Sequence, residues 1–159
     1  MSAPSQQAQH HYSVSVEWQG NRGSGTSGYR DYSRAGVIRA QGKVELPSSA
    51  DRTFHGDRDR WNPEELLLAA LAECHMLSYL HVAVQHGVVV TAYEDAAVGT
   101  MQQVGQGGHF TSVTLRPLVT LADEAQRELA DSLHHEASEL CFIAQSVNFP
   151  VLHEPRSSS

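Results

Sequence analysis

The two cysteines of this sequence, Cys74 and Cys141, are the side chains best suited to covalent chemistry. A thiolate is a nucleophile and a metal ligand, whereas a buried thiol packs like a small apolar side chain. Cys74 lies in the middle of the apolar run Trp61 to Gly87, and Cys141 follows at the end of a second helical pattern. Four interpretations of Cys74 are open at this point: core filling, half of a structural disulfide, a metal ligand or a reactive thiol.

The residues around Cys74 predict one long helix. Asn62 is suited to cap its first turn, because its side chain can accept a hydrogen bond from an unpaired backbone N–H, and Pro63 is suited to the first helical position, where no N–H is needed. The helix is expected to run to about Gln85 and to stop before Gly87, since glycine adopts the left-handed conformation that ends helices. It is apolar nearly all round, which is typical of a central helix enclosed by a sheet or by another subunit.

Cys74 shares one helix face with mostly apolar residues, at a spacing of three and four positions. These residues are Leu67, Ala70, Leu71, Leu77, Ser78 and His81. We therefore expect Cys74 to be substantially buried. A buried thiol stays neutral and inert unless a cation lies close by, because the thiolate is the reactive form.

Histidines near both cysteines raise the possibility of a metal site, but their spacing is poor. The possible ligands are Cys74, His75, His81, His134, His135 and Cys141. Neither Cys74–His75 nor His134–His135 provides two ligands on one helix face, as zinc sites usually do, so we predict no metal. A redox pair is the remaining alternative, and it requires the two cysteine Cα atoms to lie within about 7 Å.

The rest of the chain predicts an α+β protein with antiparallel sheets, in the order β-β-β-α-β-β-α-β. The expected strands before the long helix are Tyr12 to Trp18 and one or two more, the last near Val37 to Leu46. After that helix come two β-rich runs, "VVVTAYEDAAVGTMQQ" and "HFTSVTLRPLVTL", joined by a turn at "VGQGG". A second helix, "ADEAQRELADSLHHEASELC", and a short edge strand in "SVNFPVLHE" complete the order.

The bulk composition of the 159 residues suits a single domain at 11–155, between a disordered arm at 1–10 and a flexible tail at 156–159. A formal charge of -7 disfavours a nucleic-acid partner. No uninterrupted apolar segment reaches the ~18 to 20 residues of a membrane span, and no secretory signal is visible. We therefore expect a cytoplasmic protein, where a permanent disulfide is uncommon.

The stretch "GDRDRWNPEELLLAALAECHMLSYL" resembles the first active-site helix of the osmotically inducible protein C / organic hydroperoxide resistance family. The matching features are the Asn62-Pro63-Glu64 motif, Cys74 ten residues after Glu64, and the single distant Cys141. The resemblance implies an OsmC-like fold, with sheets around a long central helix, in an intertwined homodimer whose active sites lie at the subunit interface. One departure is "CFIAQSVNFP", because better-known branches follow the second cysteine with proline.

The family resemblance implies a cysteine-based peroxidase that reduces organic hydroperoxides without a cofactor, metal or haem. Cys74 would then be the peroxidatic cysteine and Cys141 the resolving one, with a lipoyl-type or other dithiol as reductant. An apolar substrate pocket is expected at Leu71, Met76 and Leu77. The alternatives are a non-enzymatic OsmC-like protein, which binds small apolar ligands or serves the stress response with an unreactive buried Cys74, and a metal-binding protein.

The resemblance also implies that one arginine polarises the site and that Glu64 holds it. Arg22 lies near the position where the family has its arginine, Arg34 is the rival and Arg30 is third. Ten helical residues at about 1.5 Å each place Glu64 about 15 Å from Cys74 along a straight helix. An arginine must therefore bridge them, the helix must bend or start later, or the other subunit must supply one partner.

Overall fold

Residues 7–156, the part of the chain that this computed structural model describes, contain two α-helices and eight strands. The chain divides between Glu64 and Glu65 into two compact units. The α+β class and the antiparallel sheets are confirmed. The single domain at 11–155 stays a prediction.

The first unit contains a three-stranded antiparallel sheet, in the order β1-β2-β3. Its strands are β1 (Ser15–Trp18), β2 (Gly36–Arg39) and β3 (Leu46–Ser48). Residues 7–10 of the predicted arm are exposed and outside regular secondary structure, and residues 1–6 lie outside the described residues.

The long helix α1 spans Pro63–Gln85, as the sequence predicts. Gly87 follows with a φ of 69°, the left-handed conformation that ends a helix without strain. By length and composition α1 could cross a membrane, with a mean hydropathy of 1.5 over its most apolar window. The core helix of a water-soluble protein meets the same criterion, so this composition alone does not indicate a membrane protein.

The five strands of the second unit form two sheets, one of β4 and β7 and one in the order β5-β6-β8. They are β4 (Val90–Asp95), β5 (Val98–Val104), β6 (Gly107–Leu115), β7 (Pro117–Leu121) and β8 (Val151–His153). The β5–β6 turn lies at the predicted position. β8 is the predicted edge strand, and it pairs with β6 in parallel.

Both β-rich runs that the sequence presents as single strands are divided in two. The chain leaves one sheet and enters the other after Asp95 and again at Arg116. At this crossing the amide of Arg116 donates a hydrogen bond to the Asp95 carboxylate at 2.7 Å, and the amide of Ala96 donates to the Arg116 carbonyl. At the second break the alternation of buried residues continues through Leu115, Pro117 and Val119, so periodicity could not reveal it there.

The second helix, α2 (Arg127–Leu140), follows a short 3-10 helix and leads directly into Cys141. Side chains of α1, α2, β4 and β7 form one apolar cluster, and α1 also packs with β6 in a second cluster. The first cluster contains Tyr79, Val82, Leu133 and Ala137, and the second contains Leu71, Val113 and Leu115. Beyond β8, Arg156 of the predicted tail pairs with β7, and residues 157–159 lie outside the described part.

Candidate active site

Cys74 is half-buried on α1, beside the buried face of the helix rather than on it. The buried residues of α1 are Leu71, His75, Tyr79, Val82 and Ala83. The expected burial of Cys74 is met in part, because its exposure is intermediate but it lies outside the fully buried face of α1. Because α1 is apolar on several faces, the sequence could not show that the core side contains His75 and that the Cys74 side is open.

Cys141 is 1% exposed and lies at the end of α2, where the backbone becomes extended. Burial, and then a hydrogen bond that its thiol donates to Cys74, raise the pKa of Cys141 to about 11. The Ala144 amide donates a weaker bond, 3.5 Å long, to the Cys141 sulfur. The fold thus brings the two free thiols into contact, and Cys141 keeps its proton at neutral pH.

A groove of about 380 Å³ opens beside Cys74. Its lining residues are Cys74, Leu77, Ser78, His81, Leu140 and Phe142. Of the three predicted pocket residues, Leu77 lines this groove, whereas Leu71 lies in the core and Met76 is half-buried outside the lining. The helical spacing from Cys74 could have identified Ser78 and His81 as lining residues, because they follow at four and seven positions. For Phe142 the only signal in the sequence was its place directly after Cys141.

The three candidate arginines differ in the contacts that their guanidinium groups make. The Arg34 guanidinium donates hydrogen bonds to the carbonyls of Tyr32 and Tyr29, at 2.9 and 2.6 Å, and lies over both aromatic rings. Arg22 and Arg30 are exposed, and neither forms a hydrogen bond or ion pair within residues 7–156. The Arg34 guanidinium is thus bound within its own loop, whereas the Arg22 guanidinium can bind another group.

Glu64, in the first turn of α1, has a buried carboxylate oxygen, Oε2, with no hydrogen-bond partner in the described part of the chain. Because a buried carboxylate oxygen without a donor is unfavourable, this atom is suited to receive a guanidinium. The helix is continuous from Glu64 to Cys74. The separation of about 15 Å along a helix axis therefore applies, and the two side chains cannot touch within α1.

Three histidines form a cluster on the closed side of α1, where His75 follows Cys74 in the chain. His75 Nε2 and His134 Nδ1 share a hydrogen bond of 3.0 Å, and the His153 ring lies 4.4 Å from that of His75 between centroids. Burial first, and neighbouring imidazoles second, lower the pKa of His75 to about 3 and that of His134 to about 4. From the sequence, His75 and His134 were candidates only as metal ligands, but no group of three or more His, Cys, Asp or Glu side chains in residues 7–156 is arranged to hold a metal ion.

Comparisons with known proteins place the chain in a family. The model of the OsmC-like protein family matches residues 55–154. An OsmC-like protein of unknown function from Vibrio cholerae O1 biovar eltor has a TM-score of 0.84 and 30% sequence identity, over 93% of this chain and 100% of that chain. The uncharacterized protein YmaD of Bacillus subtilis strain 168 is 23% identical over 143 residues, which are 88% of each protein.

A further solved structure shares the fold: the organic hydroperoxide resistance protein OhrB of Bacillus subtilis. Its TM-score is 0.65 at 22% identity, over 91% of this chain and 98% of that chain. The resemblance seen in the sequence is confirmed. The chain belongs to the OsmC-like protein family.

Proposed function

We propose that this OsmC-like protein is a thiol peroxidase that reduces organic hydroperoxides to alcohols in defence against oxidative stress. The observation that carries the proposal is the contact between a half-buried thiol on an apolar groove, Cys74, and a buried thiol, Cys141. Structural neighbours include proteins named for organic hydroperoxide resistance, among them OhrB of Bacillus subtilis.

The position of each thiol supports the step that we propose for it. Cys74 reaches the groove and attacks one oxygen of the hydroperoxide as a thiolate. The O–O bond breaks, the alcohol leaves after it takes up a proton, and Cys74 becomes a sulfenic acid. The Cys141 sulfur then attacks the Cys74 sulfur while the Cys141 thiol gives its proton to the leaving hydroxyl. Water leaves, and a Cys74–Cys141 disulfide forms.

The groove favours an apolar substrate. Leu77, Leu140 and Phe142 surround the approach to Cys74, so an alkyl or aryl tail would displace water from apolar surface while hydrogen peroxide would not. A dithiol reductant, of the lipoyl type or another, would then break the disulfide and restore both thiols, which suits a cytoplasmic protein. We propose no metal or organic cofactor.

We propose that Arg22 supplies the positive charge at the thiol and that Glu64 holds it through a bidentate pair, in a site completed by a second copy of the chain. Two observations support this: the unpartnered Glu64 oxygen and the uncommitted Arg22 guanidinium. Val84 of α1 is also 78% exposed, and apolar surface of this kind is what a homodimer interface would cover.

The direct test compares the parent protein with Cys74→Ser in the dithiol-dependent consumption of cumene hydroperoxide. We expect the variant to lose on the order of a thousandfold or more in rate, because a serine hydroxyl is not ionised at neutral pH. Circular dichroism serves as the control for folding. If the parent protein does not consume the hydroperoxide and Cys74 alkylates slowly, the non-enzymatic ligand-binding alternative is correct instead.

A second experiment tests the arginine with a matched pair, Arg22→Ala and Arg34→Ala. Loss of a donor to the developing charge on the leaving oxygen costs about 100-fold in rate, which we expect for Arg22→Ala in its reaction with cumene hydroperoxide. Arg34→Ala should react at the parent rate, because its guanidinium is bound to its own loop. The reverse ranking would transfer the role to Arg34.

A further inference from the structure

The hydrogen bond between His75 and His134 joins the helix of Cys74 to the helix that ends at Cys141. His75 is the next residue after Cys74 on α1, and His134 lies two helical turns before Cys141 on α2. Both imidazoles are enclosed, with exposures of 0% and 4%. Since the bond is buried and α2 is continuous between His134 and its end, the length of the bond constrains where Cys141 lies relative to Cys74.

A second contact fixes the same two helices in the same register. The Tyr79 hydroxyl donates a hydrogen bond of 2.9 Å to the Ala130 carbonyl. Tyr79 is one turn after His75 on α1, and Ala130 is one turn before His134 on α2, so the two contacts are separated by about 6 Å along each helix. The Tyr79 ring also stacks on the His134 ring at 4.3 Å. Two fixed points with equal spacing hold the helices antiparallel against sliding.

From this geometry we infer that the His75–His134 hydrogen bond, with Tyr79–Ala130 as its second point, is a clamp that positions Cys74 and Cys141 for disulfide formation. The histidines are positioning residues, because they act through the helices and not on the reacting atoms. The clamp rests on the proposed function for its biological use, but its effect on the two thiols can be measured without any peroxide.

The quantity to measure is the equilibrium between the reduced protein and oxidised dithiothreitol. In that exchange the Cys74–Cys141 bond forms, the disulfide of dithiothreitol breaks, and two electrons and two protons pass to dithiothreitol. The equilibrium constant reports how well the fold holds the two sulfurs together. Alkylation and intact mass after equilibration at fixed pH give the oxidised fraction.

The main comparison is between His75→Leu and His75→Gln. Leucine removes the ring nitrogen, whereas the glutamine amide can place a hydrogen-bonding nitrogen near the position of Nε2. We expect His75→Leu to lower the equilibrium constant about tenfold, as neighbours joined by a buried hydrogen bond are coupled, and His75→Gln to stay within about twofold of the parent. Val113→Ala, a buried change in β6, is the control for loss of packing alone.

Tyr79→Phe keeps the test decisive if His75→Leu does not fold, because it removes one oxygen atom and leaves the ring. We expect it to lower the constant about threefold by loss of one hydrogen bond. An unchanged constant in folded His75→Leu, or in Tyr79→Phe, would overturn the clamp, and so would an equal fall in Val113→Ala. If these substitutions lower the equilibrium constant but the parent protein does not react with hydroperoxides, the clamp is correct and the proposed function is wrong. If the protein reacts with hydroperoxides but the substitutions leave the constant unchanged, the proposed function stands and the clamp is wrong.

Discussion

Cys74 and His75 are neighbours in sequence, yet they lie on sides of α1 with opposite character. Cys74 is half-buried beside an open groove, whereas His75 is wholly enclosed and bonded to α2. On an α-helix, adjacent residues point about 100° apart, so one step along the chain passes from solvent-facing to core-facing. The helix α1 therefore has two roles: one side presents a thiol to small molecules, and the other side sets the position of that thiol.

The strongest test of this division makes one chemical change on each side. Leu71→Ala on the closed side should lower the free energy of unfolding by about 2 to 5 kcal/mol, because Leu71 is fully buried and its loss leaves a cavity. Leu77→Ala on the groove side should change it by less than about 0.5 kcal/mol. Urea titration measures both. Equal losses would contradict the division.

Acid should lower the free energy of unfolding through the buried histidines on the closed side of α1. The folded-state pKa values of His75 and His134 are about 3 and 4, below the ordinary value of 6.5. Between pH 6.5 and these lower values, the unfolded chain therefore binds more protons than the folded chain. The free energy of unfolding falls as pH decreases through that range. The loss is up to about 2 kcal/mol per histidine at pH 5 and vanishes above about pH 7.

Urea titrations at pH 7.5 and pH 5 measure this dependence, with His75→Gln as the test variant and His135→Gln as the matched control. His135 has an exposed side chain, so its replacement should leave the difference between the two pH values unchanged. His75→Gln should reduce that difference. If the parent protein is equally stable at both pH values, the pKa values of His75 and His134 are not lowered in the folded protein.

The smallest expected effect lies on the groove side. Phe142→Ala should raise the KM for cumene hydroperoxide about fivefold, because the aromatic ring contributes about 1 kcal/mol of apolar contact to the substrate. Its rate with hydrogen peroxide should stay the same, since that substrate has no apolar tail. A parallel loss with both peroxides would mean that Phe142 supports the thiols rather than the substrate.

The parts of the fold that local rules determine were predictable from the sequence. The start of α1 at Pro63 and its stop before Gly87 follow from capping and glycine chemistry, and both are confirmed. The division of each β-rich run between two sheets was missed, because it depends on a tertiary hydrogen bond between Asp95 and Arg116.

The candidate site was predictable in its thiols but not in its surroundings. Two cysteines in a recognisable pattern identified Cys74 and Cys141, and the fold brings them into contact. The side of α1 that faces the core was not predictable, because His75 is polar and occupies a core position through its bond to a residue 59 positions away. Long-range pairs of this kind leave no periodic pattern in the sequence.

The measurement that tests the central claim most directly is the intact mass of the reduced protein after one equivalent of cumene hydroperoxide. The proposed chemistry predicts a product lighter by two hydrogen atoms, with a peptide map that joins Cys74 to Cys141. Cys141→Ser should stop at the sulfenic acid, one oxygen heavier and open to trapping by dimedone. A parent protein that retains both thiols with unchanged mass would contradict the peroxidase account.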